Sequence, residues 1–319
     1  MTLSDTLYEV FEETRRRAPH IGARALARLL GVSEGALQAA RLGRGVDTLS
    51  MTPCDLVMLL PRLGPLEIAS HAPHATLTSR FDGCRVTGSL RRAGVGDGRS
   101  LAMQLLLPCW YWVALSHEDC GDGAVLPCLT IFDRCGRLLH RLHLLAPSRS
   151  RRTLVHLYRS DRPPGFTRRI ETAGERTAPA PPDLSKRWRA LRDDADYRAL
   201  LRRYRLSRLG ACRALAGHFS QRLEKERFLL ALAGRCRKRQ PGAASLIHTA
   251  GAHHHRAALE YFHQAHDGEV RLEGDGLTLA LESAALDQVW RITRPGSEGL
   301  STRLEAFDRQ GRLMASVGA

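Results

Sequence analysis

Phe132-Asp133-Arg134-Cys135-Gly136-Arg137-Leu138 recurs, 175 positions later, as Phe307-Asp308-Arg309-Gln310-Gly311-Arg312-Leu313. A polar Asp-x-x-Gly turn between apolar flanks reads as a hairpin. Such a turn alone is common, so the offset has to recur elsewhere in the chain. It does. Leu29-Leu30-Gly31-Val32-Ser33 places Ser33 as N-cap of a helix starting Glu34-Gly35-Ala36-Leu37. Tyr204-Arg205-Leu206-Ser207 does the same for Arg208-Leu209-Gly210-Ala211, at an offset of 174, and His74 and His248 share that spacing. These matches read as one unit present twice.

Each half reads helices first and strands later. The spacing predicts helices at 5–17, 23–30, 34–42 and 53–60. Strands are expected at 75–79, 84–91, 100–107, 111–116, 125–132 and 138–144. In the second half, helices are expected at 184–193, 195–204, 208–216 and 221–233. Strands follow at 244–248, 269–273, 277–282, 287–293, 301–307 and 312–317. The predicted fold class is α+β: two similar halves, each an antiparallel sheet with a helical N-terminal segment. The expected boundaries are 1–150 for the N-terminal repeat, 151–183 for a linker and 184–319 for the C-terminal repeat. The linker ends Pro-rich, at Thr177-Ala178-Pro179-Ala180-Pro181-Pro182.

The chain has 319 residues, 48 Lys+Arg against 33 Asp+Glu, and a net charge of +15. Residues 185–240 hold 17 Lys+Arg and five Asp+Glu, so most of the surplus enters with the second half's helices. Such a run forms a solvated helix face or an anion site, since guanidinium groups bind phosphate and carboxylate bidentately. No apolar run reaches the roughly 18 residues of a membrane-spanning helix. The start, Met1 to Asp5, has no basic and apolar signal pattern, and the cytoplasm is the expected location. Eight cysteines without a CxxC pair read as scattered reduced thiols, with no zinc-finger spacing. Gly94-Val95-Gly96-Asp97-Gly98 has no following helix and reads as a hairpin loop, not a dinucleotide site. His253-His254-His255 reads as exposed loop. No nucleophile–His–acid word stands out, so no catalytic residue is assigned.

Residues 24–42 read as a helix-turn-helix, with Gln38 and Arg41 as base-reading candidates of a DNA-binding regulator. The acidic Glu34 at the start of that second helix opposes a phosphate contact, and ordinary packing is the preferred reading.

Several further words, in order, resemble the cytoplasmic hemin-degrading and haem-transport factors of Gram-negative bacteria. They begin with Leu30-Gly31-Val32-Ser33-Glu34, Ala39-Ala40-Arg41-Leu42-Gly43 and Trp110, followed by Phe132-Asp133 with Gly136 and His140-Arg141-Leu142. After the linker come Trp188-Arg189-Ala190-Leu191, Ile247-His248-Thr249, Val289-Trp290, Arg294-Pro295 and Leu304-Glu305-Ala306-Phe307-Asp308. The resemblance spans nearly the whole chain and implies two similar halves and haem as ligand, bound and transferred in iron uptake. It also implies a haem-uptake or haem-oxygenase partner, and neither membrane nor nucleic acid. Haem needs an apolar slot, cations for its propionates and an axial ligand for iron.

The chain departs from the pattern where the family's axial histidine stands, because Asp193-Asp194-Ala195-Asp196-Tyr197 puts Ala195 there. Gln104, Cys109, Ala280 and Glu282 also replace polar family positions, whereas His248 and Arg294 are retained. Tyr197 and His248 are the axial candidates, against core-packing readings for both. Arg294, Arg202 and Arg205 are the propionate candidates. Without the axial histidine, binding and transport are expected rather than ring degradation, possible assistance to iron release aside.

Overall fold

The structure, a computed structural model, describes residues 3–18, 21–98, 101–119, 125–146, 154, 158–167, 178–239, 241–248, 251–265, 268–296 and 299–318. Two compact units are present. One comprises Met1–Ser70, Arg80–Ile170 and Thr249–Gly251; the other comprises His71–Ser79, Glu171–His248 and Ala252–Ala319. Both are mixed helix and antiparallel sheet, so the predicted fold class holds.

The first unit begins with α1 (Leu3–Arg17), α2 (Ala23–Leu30), α3 (Glu34–Ala39), β1 (Val46–Leu49) and α4 (Pro53–Leu59). Its larger sheet runs β10 (Arg159–Ser160), β1, β7 (Trp112–Asp119), β8 (Val125–Phe132), β9 (Leu138–Leu144) and β2 (Leu66–Ala72). A smaller sheet holds β4 (Arg85–Gly88), β5 (Arg92–Gly96) and β6 (Leu101–Leu106). Ile68, Leu115, Leu129 and Leu142 fill the core with α4 residues Leu56 and Val57.

The second unit repeats this order. It starts with α5 (Leu184–Arg189), α6 (Asp194–Tyr204), α7 (Arg208–Ala214), β11 (Ser220–Leu223) and α8 (Lys225–Arg237). Its larger sheet runs β11, β16 (Gln288–Gly296), β17 (Gly299–Phe307), β18 (Leu313–Gly318) and β12 (Pro241–His248). A second sheet runs β13 (Gly251–Gln264), β14 (Glu269–Gly274), β15 (Leu277–Glu282) and β3 (Ala75–Phe81). β3 thus supplies Leu77 to the second unit's core from a position early in the chain.

The repeated words fold alike. Ser33 Oγ accepts from Ala36 N at 3.1 Å, and Ser207 Oγ accepts from Gly210 N at 2.9 Å. Asp133 Oδ1 accepts from the amides of Cys135 and Arg137 at 2.8 and 2.9 Å. Asp308 Oδ1 takes those of Gln310 and Arg312, both at 2.9 Å. Gly136 and Gly311 close the two turns at φ of 74° and 76°, where a side chain is strained. A bulge precedes each turn, at Ile131/Phe132 and at Ala306/Phe307.

Four expectations need correction. The run 84–91 is strand only over β4, which ends at Gly88, where a φ of 128° opens the turn that leads to β5 at Arg92. Gly94 is no hairpin loop: it sits in β5, opposite both Thr87 and Gln104. The His253–His255 tract is no loop either, but part of β13, with His253 fully buried. Finally, Ser220–Leu223 is strand β11, and the helix expected at 221–233 begins at Lys225. Gln, Arg and Leu are good helix formers, but pairing with β16 overrides that local preference. Among the described residues seven cysteines are free thiols, and no helix is long and apolar enough to cross a membrane.

Candidate functional site

In the second unit, α5, α6 and α7 pack on one face of β16 and β17. The two-residue period of a strand puts Trp290, Ile292 and Arg294 on that face, with Glu305 directly across from Trp290. Trp188 from α5 is fully buried here, and its indole N–H donates to the Thr293 carbonyl at 2.9 Å. Tyr197 from α6 meets it edge-to-face, with ring centroids 5.5 Å apart. Leu209, Cys212 and Phe307 complete the apolar wall.

Three charged groups are set into this wall. Arg294, only 5% exposed, holds its guanidinium carbon 4.2 Å from the Tyr197 ring centroid. Arg208 stands 4.9 Å from the same centroid, so two cations share one aromatic ring. Arg208 Nη1 also donates to Glu305 Oε1 at 3.0 Å, and Glu305 is 0% exposed. The Cys212 thiol approaches Glu305 Oε2 at 3.9 Å. Burial pushes both the Tyr197 phenol and the Cys212 thiol up, keeping them protonated. The Tyr197 hydroxyl, in a residue 1% exposed, is a buried oxygen without a hydrogen-bond partner. A buried hydroxyl without a partner can donate to an acceptor that enters the cluster.

Of the candidates read from sequence, the structure brings Tyr197 and Arg294 together. Arg202 and Arg205 are exposed at the end of α6, with Arg205 in a left-handed C-cap at φ 49°. His248 closes β12, but its side chain lies outside the described residues. Ala195 is exposed on the first turn of α6, whereas Tyr197 is buried. Two helical steps separate them by about 200°, so Tyr197 does not point where residue 195 points. Sequence reading missed Arg208, Cys212 and Glu305 as members of this group. The available signal was Glu305, a lone carboxylate inside the apolar strand word Leu304-Glu305-Ala306-Phe307.

The basic surplus is partly spent locally. Arg187 pairs with Asp183 at 2.6 Å and Arg192 with Asp196 at 2.8 Å. Arg189 lies 5.3 Å from the Phe219 ring centroid.

In the first unit, residues 24–42 do form helix, turn and helix, but as packing. Leu26, Ala27 and Leu37 are core residues with Phe11. Gln38 Oε1 accepts from Arg41 Nη1 at 3.1 Å, and Arg41 stacks 4.7 Å from the Phe11 ring centroid. Glu34 pairs with Arg24 at 2.9 Å. Both base-reading candidates are thus committed within the fold.

The fold and this cluster define a class: a duplicated α+β chain whose second unit sets buried cations into an aromatic wall. No protein-family model matches the chain. Relatives do match along its length. The hemin transport protein HmuS of Yersinia pestis is 22% identical over 322 residues, covering 99% of this chain and 92% of that protein. The hemin transport protein HemS of Yersinia enterocolitica matches over the same shares, also at 22%. Among solved structures, holo-PhuS, a heme-binding protein from Pseudomonas aeruginosa, superposes with a TM-score of 0.84 at 24% identity. It covers 100% of this chain and 94% of that one. The heme-degrading enzyme ChuS of Escherichia coli O157:H7 gives 0.85 at 18% identity, over 99% and 93%. The resemblance read from the sequence is matched by these comparisons: the chain is similar along nearly its whole length to hemin transport proteins, and it shares its fold with holo-PhuS and ChuS.

Proposed function

We propose that this protein binds haem and hands it on during haem and iron uptake in the cytoplasm, as a carrier and not as a ring-oxidising enzyme. The observation that carries the proposal is the likeness to hemin transport proteins over 99% of the chain. The second unit's cluster supports it, because haem is an apolar macrocycle with two carboxylates. Trp188, Trp290 and Ile292 form the cluster's buried apolar wall, and Arg294 and the Tyr197 hydroxyl are the donors assigned to a propionate. Arg202 and Arg205 are exposed cations assigned to the second propionate and to capture.

The axial role is assigned to His248. At Tyr197 the same role requires a phenolate, which burial opposes. Ala195 has no donor atom, so a ligand at His248 would hold the iron from a different position than the family's axial histidine, and the reading is transfer rather than ring oxidation. Delivery therefore falls to a receiving partner of the haem-uptake or haem-oxygenase class. Titrating the purified chain with hemin is expected to shift the Soret band and saturate near one equivalent. A linear rise without a shift rejects the proposal. His248→Ala is expected to change the bound spectrum and Tyr197→Phe to leave it; the reverse pattern moves the axial role to Tyr197.

A further inference from the structure

The first unit's larger sheet carries a row of metal-ligand side chains that the haem reading does not use. The register sets Glu67 on β2 opposite His143 on β9, His143 opposite Cys128 on β8, and Cys128 opposite Ser116 on β7. Glu118 follows Ser116 by two residues and shares its face. The other face of these strands, at Ile68, Leu115, Leu129 and Leu142, belongs to the core. His143 Nδ1 lies 3.5 Å from Glu67 Oε1, and its Nε2 lies 3.4 Å from Glu118 Oε2. Cys128 is fully buried. One donor atom each from Glu118, Cys128 and His143 falls within 4.8 Å of the others.

We propose that Glu118, Cys128 and His143 form a binding site for a borderline-soft divalent cation of the zinc type. Tetrahedral zinc bonds of about 2.0–2.3 Å place neighbouring ligands about 3.3–3.8 Å apart, within rotamer adjustment of the spread seen here. The thiol selects against magnesium and calcium, which take oxygen ligands. A thiolate and the Glu118 carboxylate neutralise a 2+ ion. The remaining pair, Glu67 and Arg141, is itself neutral, with Arg141 Nη1 3.7 Å from Glu118 Oε2. Three protein ligands leave a fourth position for water or for Glu67. The ligands are ten and fifteen positions apart on three strands, so no linear spacing motif announces them.

Metal-free full-length protein titrated with Co2+ tests the site, since only thiolate ligation produces thiolate-to-cobalt charge-transfer absorption in the near ultraviolet. The expected result is a band that saturates at one equivalent per chain and is bleached by Zn2+. It should disappear in Cys128→Ser, weaken at least tenfold in apparent affinity in Glu118→Gln, and persist in Cys54→Ser. Far-ultraviolet circular dichroism establishes that each variant folds; should Cys128→Ser not fold, Glu118→Gln carries the test alone. No band in the wild type, or an unchanged band in either folded variant, overturns the proposal.

Discussion

Arg208 and Glu305 show what a buried charge does to the residues around it. Glu305 is completely enclosed, and Arg208 is the cation that compensates it. Removing one member of such a pair leaves an uncompensated carboxylate, which is far worse than replacing both. Arg208→Met is therefore expected to lower unfolding stability by about 3 kcal/mol, measured by urea denaturation. Adding Glu305→Gln to that variant should recover most of the loss. A single-variant loss below about 0.5 kcal/mol would show that the pair is solvated like a surface bridge. Ala195 poses the opposite problem, a missing group. Its Cβ is exposed on the first turn of α6, so a histidine fits there without disturbing the core. Ala195→His is expected to tighten hemin binding about tenfold, roughly 1.4 kcal/mol. Unchanged affinity would place the iron away from that turn.

At the level of elements, the repeat is carried by caps and turns. Ser33 and Ser207 each accept one otherwise orphaned amide at a helix start, so alanine at either should cost about 1 kcal/mol. The two Asp-x-x-Gly turns are less alike. Alanine at Gly136 or Gly311 enters the left-handed region at a cost of about 1–2 kcal/mol. At Gly136 the new Cβ also overlaps Ser33 Oγ, whereas at Gly311 its nearest contact is the Leu209 side chain at 3.2 Å. Thermal unfolding should rank Gly136→Ala clearly below Gly311→Ala, and equal melting temperatures would refute the role of the Ser33 contact. These local features were legible because one amide and one side chain suffice to make them. β13 was not legible. Its His253-His254-His255 tract resembles a loop until Ser79 Oγ, on β3, is found 2.7 Å from His253 Nε2.

Across the whole molecule, the net charge of +15 favours anionic ligands through a long-range field that salt screens. Hemin capture is expected to slow when ionic strength rises from 0.01 M to 0.15 M, with dissociation little changed, as stopped-flow absorbance would report. An equal change in both rates would argue against steering.

By itself the sequence determined the duplication, the α+β class, the helix caps and turns, and the likeness to hemin transport proteins. Each of these is written in short words whose physics is local, or in their order along the chain. The tertiary structure alone decided which charges are buried and what they meet. It put Arg208, Arg294 and Glu305 around Tyr197, turned Gln38 and Arg41 inward, and lined up Glu67, His143 and Cys128 across three strands. Burial and register come from segments far apart in sequence, and they convert ordinary surface residue types into paired, desolvated groups.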